Sequence, residues 1–178
     1  AGLFRLPAQD RSWQRIGGDL PDGVIATCIH AASAARDVIY LATARHGLFR
    51  SADGGQRFEP INAGLPRSVG VAPVTPVKHL VIDAQDPDVV YASTEVNCVY
   101  KTTDGGAVWT AANTGMPGSF NLTVLVLDPA SPTTLYAGTG GSGLYKTTNG
   151  AGSWQAVTTN LPASTTYNAL LIAPTTPK

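Results

Sequence analysis

An all-β fold, a β-propeller or a segment of one, is what this sequence predicts, and two observations carry the prediction. The first is an internal repeat. The stretches "GLFRLPAQDRSWQRIGGDLP", "GLFRSADGGQRFEPINAGLP", "CVYKTTDGGAVWTAANTGMP" and "GLYKTTNGAGSWQAVTTNLP" align without a gap; they start at Gly2, Gly47, Cys98 and Gly143, at spacings of 45, 51 and 45 residues. The second is that one period holds four short runs of strand composition separated by turn residues, with no helical periodicity anywhere. Four strands in a repeat of about 45 residues is the signature of a propeller blade.

The strands of a blade are named here inner, second, third and outer. The β-branched runs "VIATCIHA", "VKHLVIDA" and "LTVLVLDP" read as inner strands. The runs "VIYLAT", "VVYAST" and "TLYAGT", which carry Tyr40, Tyr91 and Tyr136, read as second strands. In the third repeat "VYKTT" is the third strand, "DGGA" a tight turn and "VWTAA" the outer strand. Asp104 can accept hydrogen bonds from N–H groups just beyond it, and Gly105 and Gly106 supply positive φ without steric cost. Trp109 is expected to cover the turn and pack between neighbouring sheets. Trp13 and Trp154 share its repeat position, so all three are expected in the core.

These turns carry a family resemblance. "SADGGQRF" (Ser51, Asp53, Gly55, Phe58) and "TTDGGAVW" (Thr102, Asp104, Gly106, Trp109) resemble Asp-box, or BNR, repeats, of the form Ser/Thr-x-Asp-x-Gly-x-x-aromatic. Such repeats occur in sialidases, xyloglucan-degrading glycosidases, sortilin-type receptors and photosystem assembly factors. "TTNGAGSW" departs from the form, with Asn149 for the Asp and Ala151 for the Gly before Trp154, and a weaker turn is expected there. "LPAQDRSW" keeps only Trp13, with Ala8 at the Asp position. The resemblance places the Asp-box on the blade periphery, so Asp53 and Asp104 are expected to be structural.

Composition narrows the function classes. The chain has 178 residues, 43% of them hydrophobic, which is enough for one domain with a buried core. Its 12 basic and 12 acidic residues cancel and form no charge run, which argues against a nucleic-acid partner or a polybasic membrane patch. Charged residues are only 13% of the chain, replaced by Ala, Thr, Ser, Gly and Pro, a balance common in extracytoplasmic bacterial β-proteins. No apolar run reaches the ~18 residues of a membrane span.

Function is sought where the repeats differ. The longer second spacing comes from one connection, the Pro- and Val-rich "RSVGVAPVTP", Arg67 to Pro76. In a propeller, the connection from outer strand to next inner strand shares a face with the turns between second and third strands. Here those turns are "TARHG", "TEVNC" and "TGGSG". Arg45, His46, Glu95 and Asn97 are therefore expected beside a loop carrying Arg67, Val69, Val71 and Val74, as a candidate binding face. Catalysis has no positive support: Glu95 and Asp22 form no carboxylate pair for a glycosidase, Arg45 and Arg67 are too few for a sialidase cluster, and Cys28, Cys98, His30, His46 and His79 are too scattered for a zinc site. No cofactor is implied. Cys28 and Cys98 fall on strands one blade apart, a poor arrangement for a disulfide.

Residues 1–178 read as one propeller domain or segment, cut mid-blade at both ends. The tail "YNALLIAPTTPK" matches an inner strand, while Gly2 starts a third strand. A small four-bladed ring and a segment of a larger propeller both fit, and the larger propeller is favoured. The sequence points to a non-catalytic binding or assembly module outside the cytoplasm, with a protein partner or further blades. A carbohydrate-binding or glycosidase-derived propeller and a structural surface-layer or filament component are the alternatives.

Overall fold

The computed structural model describes residues 2–7, 11–32, 35, 37–67, 75–95, 98–118, 120–157, 159–162 and 165–173, with the side chain of Cys98 excepted. Among them there is no helix. A hairpin of β1 (Leu3–Arg5) and β2 (Gln14–Ile16) comes first. Three four-stranded antiparallel sheets follow, each in simple chain order. The first is β3 (Ala26–Ala31), β4 (Ile39–Thr43), β5 (Leu48–Ser51) and β6 (Glu59–Pro60). The second is β7 (Val77–Ile82), β8 (Val90–Thr94), β9 (Cys98–Thr102) and β10 (Thr110–Ala111). The third is β11 (Leu122–Leu127), β12 (Leu135–Thr139), β13 (Leu144–Thr147) and β14 (Gln155–Val157). Inner, second and third strands lie where the repeat predicts. The outer strands are shorter than read: "VWTAA" contributes only Thr110 and Ala111 to β10, because the Trp109 N–H turns away to the preceding blade.

Every inner strand carries a register shift after its first residue, between Ala26 and Cys28, Val77 and His79, and Leu122 and Val124. Such a bulge bends the strand and re-aims the extra residue. Thr27 Oγ1 accordingly donates to the Val77 carbonyl of the next inner strand, at 2.9 Å. Thr123 Oγ1 does the same to the Tyr167 carbonyl. The tail thus takes the place of the next inner strand, although among its described residues only Thr166 is bridged, to Gly140.

The core lies in the seams between blades. One apolar cluster joins Tyr40, Ala42 and Leu48 to Leu80, Val90, Ala92 and Trp109 of the next blade. A second joins Tyr91 and Val99 to Leu125, Leu135, Ala137 and Trp154. A smaller one sets Ile39, Leu41, Phe49 and Phe58 against Leu3 and Leu20 of the hairpin. Strand alternation produces this layout, since successive side chains face opposite neighbours. Both ends are bare: Trp13 is 66% exposed and Leu171 92% exposed. The described residues therefore form an open arc of a propeller, not a closed ring. Trp13 corrects the expectation that all three tryptophans are core; Trp109 and Trp154 are 2% and 3% exposed because each has a preceding blade to lie against, and among the described residues no such blade lies against Trp13.

Candidate functional site

The long connection is tied to a neighbouring turn at its far end. Five residues before its start, Asn62 Nδ2 donates to the His46 carbonyl at 3.2 Å, while Asn62 Oδ1 accepts the Leu48 N–H at 2.7 Å. At its end, the Glu95 N–H donates to the Pro76 carbonyl at 3.0 Å. Between them, the Thr75 N–H donates to the Pro66 carbonyl at 3.1 Å and closes the loop at its base. The end of the connection thereby lies beside Glu95, while Arg45 and His46 sit in the β4–β5 turn and Arg67 at the start of the connection. Asn97, Val69, Val71 and Val74 lie outside the described residues.

The turn between β4 and β5 is held by Thr43, whose Oγ1 donates to the Gly47 carbonyl at 2.8 Å and accepts the His46 N–H at 3.0 Å. Arg45 is left exposed at its tip and Arg67 is exposed at the start of the loop. Glu95, also exposed, stands 3.9 Å from Lys78 Nζ, a loose surface ion pair of little energetic weight. Two buried side-chain atoms, His46 Nδ1 and Thr75 Oγ1, have no hydrogen-bond partner among the described residues. Unpaired buried polar atoms are uncommon in folded proteins and call for a cause.

The Ser/Thr-Asp turns lie elsewhere, between third and outer strands. Ser51 Oγ donates to Asp53 Oδ1 at 2.7 Å and accepts the Gly55 N–H at 2.8 Å, while Asp53 Oδ1 also accepts the Gln56 and Arg57 N–H groups at 2.9 and 3.0 Å. In the next blade Thr102 Oγ1 reaches Asp104 Oδ1 at 2.6 Å, and Asp104 Oδ1 takes the Val108 N–H at 3.1 Å. The fourth repeat is not weaker in form: Thr147 Oγ1 donates to Asn149 Oδ1 at 2.8 Å, and Asn149 Oδ1 accepts the Ser153 N–H at 2.9 Å. Every one of these bonds needs an acceptor oxygen, which an amide supplies as a carboxylate does. The bonds stabilise the charged form of the aspartates, so both titrate below the ordinary carboxylate value. For Asp53 the leading cause is the Arg57 N–H, for Asp104 the Thr102 hydroxyl.

A repeated cation escaped the sequence reading. Tyr40, Tyr91 and Tyr136 sit directly opposite Arg50, Lys101 and Lys146 in the sheet register. The cations lie 5.9, 5.4 and 5.3 Å from the ring centroids. Arg5, Arg50 and Lys101 then reach the next blade, at the Gly54 carbonyl (3.0 Å), Asp88 Oδ1 (3.1 Å) and the Gly150 carbonyl (3.1 Å). The signal was present in the aligned repeats, where Arg5, Arg50, Lys101 and Lys146 share one column. Cys28 is a half-buried free thiol whose pKa burial pushes up.

Together the sheets and seams define the class: the chain is a β-propeller arc. No protein-family model matches it, and no curated protein does. Among solved structures it is similar to an ancestral GH74 enzyme, with a TM-score of 0.63 at 19% identity, covering 84% of this chain and 20% of that one. It is also similar to YCF48 from Cyanidioschyzon merolae, with a TM-score of 0.57 at 18% identity over 77% of this chain and 38% of that one. A structure of YCF48 bound to D1 peptide gives 0.53 at 18% identity, over 80% of this chain and 42% of that one. The chain thus spans from a fifth to about two fifths of these proteins' lengths, and what they share with it is the propeller fold.

Proposed function

We propose that this chain is a non-catalytic binding or assembly module, working outside the cytoplasm as an accessory part of a larger complex, and that its Ser/Thr-x-Asp/Asn turns are Asp-boxes serving structure. The observation that carries the binding reading is that the Glu95 N–H donates to the Pro76 carbonyl at 3.0 Å, which sets the long connection against the turn after β8 with Arg67 and Glu95 exposed. Support by analogy comes from YCF48, a propeller solved with a bound peptide. The loop's Val69, Val71 and Val74, with Pro73 and Pro76 limiting its freedom, suit a protein contact better than a sugar.

The test compares wild type with a variant shortened by six residues between Arg67 and Pro76, in co-purification from the native source. Loss of a partner from the shortened, folded variant supports the reading. Equal recovery reduces the loop to a neutral insertion. A glycan array run beside it separates the carbohydrate-binding alternative, for which binding that Arg45→Ala and Glu95→Ala abolish is the required result.

A further inference from the structure

The fourth repeat holds the one asparagine–glycine pair of the sequence, Asn149 and Gly150, at the place where the two repeats before it have Asp53 with Gly54 and Asp104 with Gly105. Asparagine before glycine is the pair most open to deamidation, because glycine has no side chain to shield its nitrogen from the amide carbon. In that reaction the Gly150 nitrogen bonds to Asn149 Cγ as the Cγ–Nδ2 bond breaks, and the Gly150 amide proton leaves with the departing nitrogen as ammonia. Water then opens the cyclic imide, giving its hydroxyl to a ring carbonyl and its proton to the Gly150 nitrogen. Opening at Cγ yields aspartate. Opening at the backbone carbonyl yields isoaspartate, whose main chain runs through Cγ.

The folded turn engages both reacting groups in other bonds. The Gly150 N–H donates to the Thr133 carbonyl at 2.8 Å, and the Gly150 carbonyl accepts Lys101 Nζ of the preceding blade at 3.1 Å. Gly150 is buried, and a Cβ placed on it would fall 3.1 Å from Lys101 Nζ and 3.2 Å from the Tyr91 hydroxyl. Its nitrogen is clamped from both blades. On the other side of the pair, Asn149 Oδ1 accepts the Thr147 hydroxyl at 2.8 Å and the Ser153 N–H at 2.9 Å, while Nδ2 donates to Ser153 Oγ at 3.0 Å. For the nitrogen to reach Cγ, Gly150 must leave Thr133 and the side-chain amide must turn out of these bonds. Attack therefore waits on a local opening of the turn.

We propose that Asn149 is a deamidation site gated by its own turn, shut while the turn is formed and reactive once it opens, so that each opening of the third four-stranded sheet at this corner can leave a covalent mark. Asp53 and Asp104 also precede glycine, but an ionised carboxylate is a poor electrophile, and the bonds that lower their pKa keep both ionised. The two products differ in what the turn does next. Aspartate at 149 reseals it, since the Thr102 hydroxyl and the Val108 N–H hold the Asp104 carboxylate in the same way, and the Ser153 hydroxyl can rotate to donate. Isoaspartate adds a methylene to the main chain between Thr147 and Ser153, whose two donors then no longer meet on one oxygen. The turn stays open, directly before the buried Trp154.

Peptide mass spectrometry of the full chain, incubated at mildly alkaline pH with and without denaturing guanidinium, tests it. In denaturant Asn149 should exchange its amide for a carboxylate as fast as a free peptide of the same sequence does, and in the folded chain about tenfold or more slowly. Two variants probe the gate. Ser153→Ala removes the acceptor of Nδ2 at a half-buried position, and Thr147→Val removes the hydroxyl on Oδ1; each should raise the folded-state rate and leave the denatured-state rate alone, with circular dichroism checking the fold. Asn149→Asp should fold and resist denaturant at least as well as wild type, and an isoaspartate-specific methyl-transfer assay separates the two products. Equal rates in folded and denatured chain, an Asn149 that stays intact in denaturant, or folded variants that deamidate no faster than wild type each overturns the proposal.

Discussion

Gly106 lies against Ile61 so closely that a Cβ on the glycine would fall 2.6 Å from Ile61 Cδ1. The same pairing occurs one seam earlier, where a Cβ on Gly55 would meet Ile16 Cδ1 at 2.6 Å. At the third seam the glycine's place is taken by Ala151 and the isoleucine's by Ala112, and both belong to the same apolar cluster. Volume removed on one blade is returned on the next, so the seam keeps its packing while the sequence changes.

This exchange predicts a coupled pair. Ala151 holds φ at 65°, a left-handed conformation that an L side chain enters at a cost, so Ala151→Gly should stabilise by about 1 kcal/mol. Ala112→Ile alone should destabilise by about 1–3 kcal/mol through overpacking. In the double variant the two should couple favourably by about 1 kcal/mol or more, measured in a denaturant-unfolding cycle. Strict additivity would show that the seam does not read the pair as one volume.

Truncating the tryptophans should separate two environments that one repeat position contains. Trp154→Ala removes a ring that is 3% exposed and hydrogen-bonded across the seam, and should cost about 3–5 kcal/mol. Trp13→Ala removes a ring that is 66% exposed and should stay within about 0.5 kcal/mol of wild type. Equal losses in chemical denaturation would contradict the bare leading edge.

The turn aspartates should make part of the stability acid-labile. Folding lowers the pKa of both Asp53 and Asp104, so the folded state binds fewer protons than the unfolded one near the ordinary carboxylate value of 3.8. Their contribution is complete above that value and is lost as pH falls through the depressed folded-state pKa. Asn149 demonstrates that an amide can hold the turn, so the Asp53→Asn, Asp104→Asn double variant should fold, be less stable than wild type at neutral pH, and converge with it on acidification. Denaturation midpoints across a pH series check this, and a constant gap down to the lowest pH would refute it.

Shortening the long connection should hardly touch folding. Its base is closed by the Thr75 N–H to the Pro66 carbonyl, and each doubling of loop length changes closure free energy by only about 0.6 kcal/mol. Thermal unfolding of the six-residue deletion should therefore resemble wild type, and a large drop would mean that the loop packs as part of the core.

Blades were legible because their signals are local. Alternating β-branched runs, the serine or threonine two residues before an acceptor, and glycines at positive φ are each encoded within a few positions, and the repeat multiplies the signal. The Tyr–cation pairs at Tyr40 and Arg50 were legible in the same way, as a column of basic residues, though their purpose is visible only where Arg50 meets Asp88 of the next blade. The candidate face was half legible: loop length and turn position singled out Arg45, His46, Arg67 and Glu95, but the burial of Thr75 Oγ1 depends on packing that no local pattern carries.

By itself the sequence determined the blade, its four strands, its stapled turn and the position of the one irregular loop. The tertiary structure alone decided which aromatic is core and which is bare, since Trp13 and Trp154 share a position and differ only in whether a neighbour lies against them. It also decided that glycine at 106 answers isoleucine at 61. The reason is physical: strand and turn propensities act over a few residues, whereas seam partners such as Trp109 and Ile61 stand 48 residues apart and are matched only when two sheets close on one another.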